Sequence, residues 1–271
     1  MSYSSYFERK KQLVSVFRDT MSRVKSNPEL QMAVKDSITK QVFVPEGEQI
    51  DAGVPRYVEP AKVLVTHNRS FEAAANYRGK KVAVLNFASS TSPGGGVETG
   101  ASAQEECLCR VSTLYPCLKD KAMWERFYAP HRAARNPLHN DDIIYTPGVV
   151  VIKDDDYNLL SEPFVVDVIT CAAPNLFEYE ISSEALFAIH ERRARRIMAV
   201  AAQNGAEVLI LGAFGCGAFR NDPNVVASAY QLVVPELLSH FSTIEFAVYT
   251  SKKDQGNYLA FKLRLETTRR P

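Results

Sequence analysis

Residues 208–223 read Val208-Leu209-Ile210-Leu211-Gly212-Ala213-Phe214-Gly215-Cys216-Gly217-Ala218-Phe219-Arg220-Asn221-Asp222-Pro223. A short apolar run of strand length passes into a glycine-rich turn. The turn then reaches Asp222-Pro223, a capping residue followed by a proline suited to the first helical position. Strand, glycine loop and helix in that order form the generic cradle for a phosphate, because glycine lets the main chain and its N–H groups approach an anion. Neither a Gly-Lys-Ser/Thr nor a G-x-G-x-x-G follows, which disfavours a P-loop kinase and a dinucleotide oxidoreductase. A tight structural turn is the plain alternative.

Outward from this stretch the same alternation recurs. Lys62–Thr66, Lys81–Phe87, Pro163–Thr170, Glu207–Gly212 and Ile244–Tyr249 are strand-length runs, several of them apolar throughout, as strands covered on both faces are. Helical periodicity separates them over Phe71–Tyr77, Ala103–Leu118, Glu184–Gln203 and Val225–His240. Strands alternating with helices predict an α/β layered fold with a mixed or largely parallel sheet. Ile143–Thr146 and Val149–Ile152, joined by Pro147-Gly148, predict an antiparallel hairpin. Helices are expected over Phe7–Val24 and after Asn27-Pro28-Glu29. Residues 1–60 therefore read as a helical accessory to one α/β body, and 1–271 as a single domain.

Bulk properties narrow the function. The 271 residues are 46% apolar, enough for one extended core, and carry a formal net charge of only +1. Any polyphosphate ligand must therefore be gripped locally, not by the field of the whole protein. Charges interrupt the apolar residues of the first twenty positions, so no signal peptide is read there. The longest apolar run, Val208–Phe214, is too short for a bilayer. Cys107, Cys109, Cys117, Cys171 and Cys216 form neither a disulfide framework nor a zinc pattern. A cytoplasmic protein without metal or cofactor is expected, with no membrane and no sequence-specific nucleic acid among its partners.

A second glycine loop, Ala88-Ser89-Ser90-Thr91-Ser92-Pro93-Gly94-Gly95-Gly96-Val97, follows the strand Lys81–Phe87. Behind it stand Gln104-Glu105-Glu106 at the start of a helix. Ser102-x-x-Glu105 spells a capping box, which alone accounts for Glu105. Glu106 is not needed for that box. Neighbouring helical residues point about 100° apart, which argues against one task for both acids. The helix dipole lowers the pKa of a first-turn acid, so a general acid here requires desolvation or a nearby anion.

Pro93-Gly94-Gly95-Gly96, a short spacer and Gln104-Glu105-Glu106 together resemble the signature of poly(ADP-ribose) glycohydrolases, in their compact bacterial-type branch. Asn86–Ser89, Leu108–Tyr115 and Gly212–Pro223 extend the resemblance over roughly residues 5–250. It implies a macrodomain-like three-layer α/β/α fold that hydrolyses the ribose–ribose bond and releases ADP-ribose from chain ends. By the same resemblance Gly94, Gly95, Gly96 and Val97 wrap the distal ribose, with Gln104 beside them. The loop of Phe214, Gly215, Cys216, Gly217, Ala218 and Phe219 holds the diphosphate. Glu106 is the catalytic acid, and Glu105 orients the distal ribose or its glycosidic oxygen.

The chain departs from the pattern at Ser92, where relatives carry Asn, and after the glycines, where Val97-Glu98 replaces an expected aromatic residue. These departures bear on the preferred substrate, poly(ADP-ribose) or another ADP-ribosylated macromolecule. A non-catalytic ADP-ribose-binding module is the rival from another class, and the retained acids disfavour it. Arg192, Arg193, Arg195 and Arg196 read as a solvated helix face, with contact to polymer phosphates as the alternative. Trp124 reads as packing.

Overall fold

The computed structural model describes residues 3–250 and 255–266, so the expected domain of 1–271 and the first two residues of the N-terminal stretch reach beyond it. The helices are α1 (Tyr3–Ser26), α2 (Pro28–Lys40), α3 (Ser70–Ala75), α4 (Gln104–Val111), α5 (Leu114–Leu118), α6 (Lys121–Met123), α7 (Ala129–Ala134), α8 (Ser183–Gln203), α9 (Pro223–Val233) and α10 (Gly256–Leu265). The strands are β1 (Val42–Val44), β2 (Lys62–Thr66), β3 (Val82–Phe87), β4 (Ile143–Lys153), β5 (Leu159–Cys171), β6 (Val208–Leu211) and β7 (Thr243–Ala247). They form one mixed sheet in the order β1-β4-β5-β3-β6-β7-β2. From β5 to β2 every neighbour is parallel, while β1, β4 and β5 pair antiparallel.

The central strands are apolar throughout because both faces are covered. Ala83, Leu85, Leu209 and Leu211 pack with residues of α8, α9 and α10, whereas Val82, Val84, Val208 and Ile210 pack with α1, α3, α4 and α5. Each fully buried side chain of this kind contributes roughly 1.5–3 kcal/mol, so two covered faces make a three-layer α/β/α core. The parallel strands end on one side of the sheet, and the loops leaving β3, β5, β6 and β7 gather there.

Four local expectations need correction. Pro147-Gly148 does not close a hairpin: β4 runs continuously through both, with a register shift against β5 between Thr146 and Val149. Gly148 donates its N–H to Asp167 Oδ1 (3.0 Å), and Tyr145 donates its hydroxyl to the same carboxylate. The helix read over Ala103–Leu118 breaks at Ser112, whose extended backbone bridges to Val151. The helix read over Val225–His240 tightens into a 3-10 turn from Val234, where Pro235 removes a donor. Residues 1–60 are not wholly helical, since β1 joins the edge of the sheet. Asn27 caps α2 as expected, accepting from Glu29 N and Leu30 N.

Of the α8 arginines read as a solvated face, Arg192 is exposed and Arg195 partly so, yet all four hold protein partners and Arg193 is buried. Arg193 is 1% exposed and binds Asp141, Ala172 O and Leu138 O. Arg192 shares Asp141, Arg195 pairs with Glu191 and Glu236, and Arg196 donates to three main-chain carbonyls. Burial opposes the charge on Asp141, but the two guanidiniums hold its carboxyl below the ordinary value. They anchor the chain that leads into β4 against the end of β5. Trp124, partly exposed, stacks on Tyr128. Among the described residues no helix is long and apolar enough to cross a membrane, and no three His, Cys, Asp or Glu side chains cluster as metal ligands.

Candidate active site

Gln104 fixes the start of α4 to the end of β3. Its Oε1 accepts the N–H of Phe87 (2.9 Å), and its Nε2 donates to Leu85 O (2.7 Å) and Ser70 Oγ (3.0 Å). The N-cap position falls on Ala103, without a side-chain hydrogen bond, so the capping box expected from Ser102 and Glu105 does not form. Glu105 is spent elsewhere. Its carboxylate accepts from the N–H of Ser89 (2.8 Å) and the Asn86 amide (3.3 Å), at the head of the triple-glycine loop.

The glycines lie behind the acids. Glu106 Oε1 accepts the N–H of Gly96 (2.9 Å). Gly95 holds φ +57°, and a Cβ there would fall 2.3 Å from Glu106 Oε1 and 3.2 Å from Glu105 Oε2. Only glycine meets both demands at that point. The two carboxylates, expected to diverge along the helix, thus converge on one glycine, because long side chains in a first turn can curl back over the helix end. Glu105 is 2% exposed and Glu106 8%. Burial pushes the Glu105 carboxyl up to about 8, overriding its hydrogen bonds, and the neighbouring Glu106 adds to the rise. Desolvation outweighs the helix N-terminus here. Glu106 Oε2 is buried without a partner.

Both acids line a cavity of about 610 Å³ across the carboxyl ends of the parallel strands. Its size suits a single small-molecule ligand. The loop after β6 forms another wall. Gly215 turns with φ +78°, and a Cβ there would strike Ala173 (2.6 Å) and the Asn221 amide (3.0 Å). Asn221, 2% exposed, holds this loop: its amide nitrogen donates to Pro174 O, Gly215 O and Phe219 O, and His190 Nε2 donates to its oxygen (2.7 Å). Burial keeps His190 down at about 4, hence neutral. The N–H groups of Gly217, Ala218 and Phe219 take no protein acceptor among the described residues. Three successive free donors on a cavity lip suit an anion.

The structure brings Gln104, Glu105, Glu106, Phe214, Gly215, Gly217, Ala218 and Phe219 onto one cavity. The other expected residues, Gly94, Gly95, Gly96, Val97 and Cys216, are not in its lining. Gly94 packs on the Tyr115 ring, Gly95 and Gly96 back the acids, and Val97 is fully buried in the core. Cys216 lies behind the loop with its sulfur toward Phe214 O. Ser92 is exposed, and its carbonyl closes the loop by accepting the N–H of Gly95 (2.9 Å).

Sequence reasoning missed the far end of the cavity. There Arg69 lies over the Tyr249 ring (4.4 Å to its centroid) and pairs with Asp155 (3.7 Å). Burial pushes Asp155 up to about 6. Arg9, Tyr157 and Asn257 complete this end. The residues come from five separate segments, none with a local motif. The only signal was position, since Arg69 and Tyr249 directly follow two parallel strands.

A family model described as the catalytic domain of microbial-type PARG (poly(ADP-ribose) glycohydrolase) matches residues 11–154. Among solved structures the chain is similar to poly(ADP-ribose) glycohydrolase from Thermomonospora curvata, at 30% identity and a TM-score of 0.81, over 94% of this chain and 100% of that one. The same enzyme bound to the inhibitor ADP-HPD gives 31% and 0.83 over the same shares. The enzyme from Deinococcus radiodurans in complex with ADP-ribose gives 32% and 0.77, over 86% of this chain and 97% of that one. No curated protein sequence matches.

Proposed function

The chain belongs to the microbial-type poly(ADP-ribose) glycohydrolases, and from that premise we propose that it hydrolyses the ribose–ribose O-glycosidic bond at chain ends, using Glu106 as its proton shuttle. It is a glycosidase. We read residues 1–271 as a single domain. The observation that carries the assignment of Glu106 is its place in the cavity lining with Oε1 pinned by the Gly96 N–H and Oε2 buried without a partner.

Burial disfavours charge on Glu105, which keeps its proton at neutral pH and stands as a neutral partner beside Glu106. Glu106 is the acid with an oxygen that no protein group engages. It gives its proton to the ribose oxygen on the leaving side as the C1″–O bond breaks and the bond's electron pair passes to that oxygen. An oxocarbenium-like ribose remains. Water then attacks C1″, and the Glu106 carboxylate takes the water's proton. Glu105, held in place by Ser89 and Asn86, orients the ribose hydroxyls beside the break.

The diphosphate of the terminal unit sits on the N–H groups of Gly217, Ala218 and Phe219, and its charge favours the developing cation. The cavity takes one unit of polymer, which suits release of ADP-ribose from an end. The test is product identification after incubation with poly(ADP-ribose) and, separately, with singly ADP-ribosylated proteins. Free ADP-ribose from the polymer is expected. Release from the singly modified proteins alone would assign a different linkage.

A further inference from the structure

Next to the main cavity lies a second one of about 410 Å³, lined by Thr91, His131, Arg132, Arg135, Asn136 and His139. Thr91 belongs to the triple-glycine loop, and the others to α7 and the segment entering β4. That segment sits beyond the carboxyl end of β5: Ile144 pairs with Thr170, and Asn175 N donates to Pro137 O (2.7 Å). In the strand order, the second cavity therefore continues the line of the first, past β3 and β5. A thin wall divides them. His139 shares a hydrogen bond with Ser90 Oγ (3.0 Å) and packs near the Phe219 ring (6.2 Å between centroids), while Ser89 and Phe219 line the main cavity.

This second site holds a ligand-seeking group. His131 is 6% exposed, and its Nδ1 donates to Phe127 O (2.7 Å). A ring nitrogen facing a carbonyl carries the hydrogen, so Nε2 is an acceptor in the neutral ring. That Nε2 is buried with no partner. Arg132 and Arg135 are exposed and enter no ion pair among the described residues, although Arg132 lies over the Trp124 ring (5.5 Å). The arginines of α8, by contrast, are committed to Asp141, Glu191, Glu236 and main-chain carbonyls.

We propose that the second cavity is a leaving-side subsite, which takes a phosphate on Arg132 and Arg135 and a ribose hydroxyl on His131 Nε2 from the polymer unit adjoining the one cleaved. The inference rests on the glycohydrolase reading above. Guanidinium forks match phosphate oxygens, and a lone imidazole acceptor matches a sugar hydroxyl. A sugar phosphate presents both at once. The terminal unit fills the main cavity with its C1″ at the acids between the two loops, so the next unit leaves past Thr91 and Phe219 toward this basic pocket.

The test compares Arg132→Gln/Arg135→Gln with the unmodified protein on two substrates: poly(ADP-ribose), and an aryl glycoside of ADP-ribose whose leaving group has no phosphate. The polymer should show KM raised about tenfold or more with kcat little changed, since charge-assisted contacts to phosphate are lost. Its rate should also depend less steeply on salt. The aryl glycoside should react within about twofold of the unmodified protein, as exposed substitutions remote from the chemistry do. Equal kinetics on the polymer overturn the proposal, and so does an equal loss on both substrates. An unmodified protein inactive on the polymer overturns the glycohydrolase reading itself, and the subsite with it.

Discussion

Replacing Glu105 by Gln should make the protein more stable at alkaline pH. Glu105 is buried, and its carboxyl sits at about 8 against an ordinary 4.5. The folded value lies above the unfolded one, so the group's contribution to stability is whole below about pH 4.5 and is lost as pH rises through about 8. The span is roughly 3.5 on the pH scale at 1.36 kcal/mol each, a ceiling of about 5 kcal/mol. Glutamine mimics the protonated acid and stays neutral. Its oxygen can keep the Ser89 N–H. Its amide can donate to Asn86 Oδ1, which is buried without a partner, if that side chain turns over and takes the Thr170 hydroxyl as donor. Thermal melts of both proteins from pH 5 to pH 9 check this. At about 2–4 °C per kcal/mol for a chain near this size, the variant should gain on the unmodified protein by about 10 °C across the range. Parallel melting curves would refute a neutral, buried Glu105.

Gly95→Ala should cut turnover by at least about a hundredfold in steady-state assays while the protein stays folded, because its methyl displaces Glu106 and left-handed backbone costs alanine only about 1–2 kcal/mol. Gly217→Val should weaken ADP-ribose binding about tenfold or more by calorimetry, with a melting temperature close to the unmodified protein's, since a Cβ there meets nothing within 4 Å and φ is not left-handed.

Local chemistry made the layered fold legible. Unbroken apolar runs such as Val208–Leu211 announce strands covered on both sides, and the glycine loops after β3 and β6 mark where those strands end. What stayed hidden depends on distant partners. Pro147-Gly148 carries a turn signal, yet Asp167, nineteen residues on, takes the Gly148 N–H and keeps β4 running. Arg193 lies in a polar-looking stretch of helix but is buried on Asp141, fifty-two residues away. Ser102 and Glu105 satisfy a local capping rule, and the Ser89 N–H claims the carboxylate instead. Arg69, Asp155 and Tyr249 come together only through the sheet order, which no local pattern specifies.

The central claim is that Glu106 moves the proton while the cavity binds the ligand without it. Glu106→Gln keeps the shape and the Gly96 contact but cannot donate a proton to the leaving oxygen. Turnover of poly(ADP-ribose) and the calorimetric affinity for ADP-ribose should be measured on one preparation of that variant. Turnover should fall by at least about a hundredfold with affinity nearly unchanged. Turnover equal to that of the unmodified protein would contradict it.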